Sequence, residues 1–161
     1  MSRNRHAWVM PVSVLLALVF GLLPLTPALQ PYRPYWLALV VAYWVIEDPD
    51  HRGLGFAFVV GLLGDLSFGG LLGEQALRLV VMAYILQRFR ARLRFFPMSQ
   101  QALAIGGLLL NDRILVAVLH GALQLPPAPR AIWFAPLVGM LLWVPLNLVL
   151  DAARQGGWRR R

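Results

Sequence analysis

Cysteine is absent from the 161 residues, and so is lysine: all fifteen basic residues are arginine. Without cysteine there can be no disulfide framework, thiolate metal site, iron–sulfur cluster or cysteine nucleophile. Charge is scarce as well, at 14% of residues against 59% hydrophobic, with a mean hydropathy of +0.64. A soluble domain is closer to a quarter charged, so these proportions exclude an ordinary soluble globular protein. His6, His51 and His120 are far apart, with no i, i+3 or i, i+4 pair to hold a metal. No Ser/His/Asp set, phosphate loop or pair of acids on one aqueous face stands out, so no cofactor and no catalytic group is expected. The net charge of +8 is carried by arginines that flank apolar runs, which speaks for lipid headgroups and topology rather than nucleic acid.

What is present is a series of six apolar runs. A helix needs about 20 mostly apolar residues to span a bilayer, and the expected spans are 7–24, 34–47, 53–68, 74–90, 99–124 and 131–152, a single all-α membrane domain. The first run is long for a signal peptide and further runs follow it, which favours a span. The second run is short, about 18 Å over twelve residues, unless flanking residues join it. Pro136 and Pro145 should kink the sixth. With six crossings and both termini in the cytoplasm, eleven arginines fall inside, Arg33 and Arg130 fall outside, and Arg78 and Arg113 lie within runs. That asymmetry fixes the expected orientation.

Charged residues within spans are costly and normally face the bundle interior, a partner or a pathway. At 1.5 Å per residue, Asp65 and Arg78 reach depths that differ by only about 6 Å, and Asp112 and Arg113 reach the same outer half. The expectation is an outer-half polar cluster of Asp65, Glu74, Arg78, Asp112 and Arg113, with Asp65 ion-paired to Arg78 or to Arg113. The cluster would be a structural network, a set of headgroup contacts or a ligand site. Ala57, Gly61 and Asp65 share one face of the third helix, and with Gly64 they suit a close helix contact. Gly69 and Gly73 lie where that helix should break. Tyr35, Trp36, Tyr43, Trp44, Trp133, Trp143 and Trp158 mostly fall near span ends, and interfacial anchoring accounts for most of them. Arg88, Arg90, Arg92, Arg94 and the tail Arg159, Arg160 and Arg161 read as lipid-facing basic anchors on anionic lipid.

Four of these features together resemble the bacterial rod shape-determining MreD family. They are Arg33-Pro34-Tyr35-Trp36 with Tyr43-Trp44, Gly61-x-x-Gly64-Asp65-x-x-x-Gly69-x-x-Leu72-Gly73, Gln100-Gln101, and Leu142-Trp143-x-Pro145. The resemblance implies a non-enzymatic scaffold subunit of the cell-elongation complex in a bacterial inner membrane. It also implies binding to MreC and, through MreC, a link to MreB filaments and to the glycosyltransferase and penicillin-binding protein complex that makes lateral peptidoglycan. The fold it implies is similar to the S subunits of energy-coupling factor transporters. That likeness keeps open an alternative, a small-molecule transporter component with a ligand site at Asp65, Arg78 and Asp112. A partner's transmembrane helix is expected against helices one to three, with Gly61 at the contact.

Overall fold

The computed structural model describes residues 8–48, 50–127 and 129–154. In chain order they form α1 (Val9–Leu22), α2 (Trp36–Glu47), α3 (Leu54–Phe68), α4 (Glu74–Leu93), α5 (Met98–Ala122) and α6 (Ala135–Arg154). Short 3-10 segments at Gln30–Tyr32 and Arg130–Phe134 precede α2 and α6. Every expected apolar run carries a helix, and no strand occurs among the described residues. Two helical stretches, Met98–Ala122 and Arg130–Arg154, are long and apolar enough to cross a membrane, whereas α1 and α3 are apolar but shorter.

The bounds differ from the apolar runs where polar chemistry extends or splits a helix. α4 runs three residues beyond residue 90, with Arg90 and Arg92 in its last turn, where positive charge meets the negative end of the helix dipole. The sixth run is divided, because Arg130–Phe134 winds as a 3-10 segment before α6 begins. Pro136 falls in the first turn of α6, where no intrahelical N–H is needed, so only Pro145 lies inside the helix.

α2 occupies the centre of the bundle. Its ten residues from Leu37 to Ile46 are all buried, and it touches α1, α3, α4, α5 and α6. A helix that is apolar on every side needs neighbours on every side. Its length therefore need not match a bilayer, and the flanking residues do not lengthen it.

The alternation of the helices gives the bundle two ends. The α1–α2, α3–α4 and α5–α6 connections gather at one, here termed the 3-10 end, where the rings of Tyr32 and Phe134 lie 6.3 Å apart. The start of α1, the end of α6 and the other two connections form the terminal end. Large apolar side chains cover the outside, among them Leu15, Val59, Leu66, Leu103, Val118, Leu141 and Val149. A surface this apolar suits contact with lipid rather than water.

Three aromatic residues expected at the interface lie in the core instead. Tyr43, Trp44 and Trp143 are 1%, 3% and 0% exposed. The Trp44 indole N–H donates to Ser13 Oγ at 2.9 Å, and the Tyr43 hydroxyl donates to Asp151 at 2.6 Å, so these rings tie α2 to α1 and to α6. Nearness to a helix end gave Tyr43 and Trp44 their height but not the side they face, and Trp143 lies in the middle of α6 rather than near its end. Trp36 packs at the edge against Phe20, Trp133 is exposed, and Trp158 lies outside the described residues.

Candidate functional site

The α3–α4 hairpin is the most extensive helix pair, and its geometry follows from a few small residues. A Cβ on Gly61 would lie 2.3 Å from the Cα of Ala76, so only glycine lets the two backbones come this close. Gly64 makes the same allowance for the Leu37 side chain of α2, at 2.8 Å. Ala57 is fully buried on the same face. The connection needs left-handed backbone at Gly69 (φ 66°), which ends α3, and at Gly73 (φ 94°), which precedes α4.

Asp65 closes this hairpin rather than an ion pair. Its carboxylate accepts the backbone N–H groups of Gly73 and Gln75 at 2.8 Å each and of Ala76 at 3.4 Å. A carboxylate from α3 thus satisfies the unpaired first-turn amides of α4 and meets the positive end of its dipole. The expected pairing of Asp65 with Arg78 or Arg113 does not form. Equal depth brought the residues level, but one helical turn separates the α4 amides from the Arg78 side chain. Asp65→Ala should cost about 1–2 kcal/mol, the usual worth of a good cap, read from denaturant unfolding in detergent. A loss no greater than that of an exposed substitution would refute the capping role.

Arg78 is buried and pairs with Asp112 of α5 instead. Its Nε donates to Oδ1 at 2.7 Å and its Nη2 to Oδ2 at 2.6 Å, the two-pronged arginine–carboxylate geometry. Glu74 lies one turn back, with an oxygen 3.6 Å from Arg78 Nη1, and its other oxygen is 3.5 Å from His120 Nε2. The Tyr35 ring lies under the Arg78 guanidinium at 4.4 Å, and its hydroxyl donates to Gln75. The network joins α2, α4 and α5 just below the 3-10 end. Asp65, Arg78 and Asp112 spend their charged atoms on one another's elements and on the α4 backbone.

Arg113, the fifth residue of the expected cluster, is half-buried beside this network, and no hydrogen bond or ion pair engages it among the described residues. Arg33 folds back over α1, donating from Nη1 to the Gly21 carbonyl at 2.5 Å and from Nη2 to the Leu23 carbonyl. Pro34 stands two residues ahead of α2, outside it.

The terminal end has a second polar layer. Arg154 bonds Glu47 at 2.8 Å, Arg90 Nε donates to the Ile46 carbonyl at 2.8 Å, and the Arg52 guanidinium lies 4.1 Å above the Trp44 ring. Arg90 is therefore half-buried and caps α2 instead of facing lipid, whereas Arg88, Arg92 and Arg94 are exposed. Arg159, Arg160 and Arg161 lie outside the described residues. Gln101 donates to the carbonyls of Leu93 and Phe96 at 3.0 and 3.3 Å, closing the α4–α5 turn, while Gln100 is exposed.

The sequence reading missed Tyr35, Gln75 and His120 as network members, and Glu47 and Asp151 as links from α2 to α6. For α6 a signal was there to read, because Trp143, Asn147 and Asp151 recur every fourth residue along one face. No group of three His, Cys, Asp or Glu residues able to hold a metal occurs among the described residues.

Comparison with known proteins adds a relationship to this geometry. The family described as rod shape-determining protein MreD matches residues 2–152. The chain is similar to the rod shape-determining protein MreD of Haemophilus influenzae, with 32% identity over 109 residues, which is 68% of this chain and 67% of that relative. No solved structure matches it.

Proposed function

The chain belongs to the rod shape-determining MreD family, and from its part in cell shape we propose a non-enzymatic scaffold subunit of the cell-elongation complex, spanning the bacterial inner membrane six times. It binds MreC and through it serves MreB filaments and the glycosyltransferase and penicillin-binding protein complex of lateral wall synthesis. The terminal end faces the cytoplasm, because Arg52, Arg88, Arg90, Arg92, Arg94 and Arg154 lie there while Arg33 and Arg130 lie at the 3-10 end. Arg88, Arg92 and Arg94, exposed at that end, anchor it to anionic lipid.

The observation that carries this reading is the contrast between inside and outside. The principal interior carboxylates are matched by interior partners, so what the protein offers its neighbours is the apolar outer surface of its helices. Between α1 and α3 that surface forms a groove of about 270 Å³ lined by Val14, Leu18, Phe56, Val60 and Leu63 among others. We place the transmembrane helix of MreC in this groove. The alternative, a ligand site at Asp65, Arg78 and Asp112, has less support because those groups are already satisfied.

Affinity purification from native membranes in mild detergent, with mass spectrometry of the retained proteins, tests the assignment. MreC and a penicillin-binding protein should be recovered, whereas ATPase subunits without wall-synthesis proteins would overturn the scaffold reading. Leu63→Trp, which fills the groove from its exposed rim, should reduce MreC recovery at least about tenfold, as loss of a buried anchor does. Undiminished recovery would move the contact to another face.

A further inference from the structure

Arg113 has no direct acidic partner among the described residues. Asp65 is taken by the α4 amides, Asp112 by Arg78, and Glu74 lies between Arg78 and His120. Among the described residues no acid lies within ion-pair distance of Arg113, which feels Asp112 and Glu74 only through space and sits half-buried in α5 two turns below the 3-10 end. A guanidinium in a membrane-spanning bundle normally has a counter-charge.

Arg113 also lies at the junction of two cavities. One, of about 200 Å³, opens among α1, α2 and α4 and is lined by Arg33 and Arg78 as well, so three guanidinium groups border a single space. The Nη atoms of Arg33 are committed to carbonyls, and its Nε is buried without a partner. The other cavity, of about 190 Å³, lies between α5 and the second 3-10 segment. Its lining of Val116, Ala117, Ile132 and Trp133 is apolar apart from Arg113 and His120. A cation with an apolar channel beside it suits an oxyanion carried on an apolar body, and the arginine fork is shaped for such an anion.

We propose that Arg113 is the core of an oxyanion site at the 3-10 end that takes a phosphate group, either free or as a phospholipid headgroup. The full chain, delipidated in a neutral detergent, is melted against inorganic phosphate and, separately, against short-chain phosphatidylglycerol at matched ionic strength. The melting temperature of the wild type should rise saturably with at least one of them. A rise with phosphate assigns the site to the free anion as well, and a rise with phosphatidylglycerol alone assigns it to the headgroup. Arg113→Gln should abolish the rise. Arg113→Lys, which keeps the charge and loses the fork, should need about tenfold more ligand for the same rise. No saturable rise in the wild type, or an unchanged affinity in Arg113→Lys, overturns the proposal.

Discussion

Arg78→Met should lose about 3–5 kcal/mol of stability, the cost of leaving one partner of a buried pair charged and alone. The stranded group is Asp112, which is 3% exposed and accepts both of its hydrogen bonds from Arg78. Glu74 would lose its arginine neighbour at the same time. The double variant Arg78→Met with Asp112→Leu should recover most of the loss, because apolar side chains of similar volume replace buried ion pairs at little or no cost. Denaturant titration in detergent micelles, carried out as a double-mutant cycle, reads both effects. A single variant that loses less than about 1 kcal/mol, or a double variant no better than the single, would show that the pair does not hold α4 to α5.

Gly61→Leu is the second large effect. A Cβ at this position meets backbone atoms of Ala76 and Gln75 at 2.3 to 2.9 Å, and backbone cannot rotate aside as a side chain can. Overpacking usually costs about 1–3 kcal/mol, and this site should fall at or above the top of that range. The α3–α4 connection would also suffer, since moving the helices apart pulls the α4 amides away from Asp65. Gly55→Leu is the matched comparison, at an exposed position of α3 with open space around its Cβ, and should lose little or nothing. Equal losses in the two variants would refute the close-approach argument. Gly61 therefore reports on the hairpin, the internal helix contact its small-residue face suited, and a substitution there would not isolate the contact with a partner's helix that was also expected at this residue.

The distinction between height and direction explains which features could be read beforehand. Hydropathy sets where along the chain a helix lies, and all six were legible in that way. Depth counting then placed Asp65, Arg78 and Asp112 at one level. It could not choose among their partners, because the choice depends on how each helix is rotated about its axis. Asp65 turned to backbone amides, which carry no sequence signature, and Arg78 turned to Asp112 across the α4–α5 contact. The glycines of the hairpin were easier, since a missing side chain has the same meaning from any direction. Tyr43 and Trp44 failed for the reason Asp65 did: a ring near a helix end can point outward to headgroups or inward to Asp151 and Ser13.

The unequal helix lengths have a consequence for the surrounding lipid. α3, at 15 residues, is about 22 Å long and α5, at 25, about 37 Å, and both expose apolar side chains. A bilayer with a hydrocarbon core near 30 Å is too thick for the first flank and too thin for an upright helix on the second. In the six-span arrangement proposed above, annular lipids beside α3 would compress or splay and α5 would tilt, each at a fraction of a kcal/mol per Å. Spanning in that way, the protein would act as a wedge that imposes a gradient of thickness across its own width. A second membrane protein with equally short helices would relieve that strain by settling against the thin flank, before any specific contact is made.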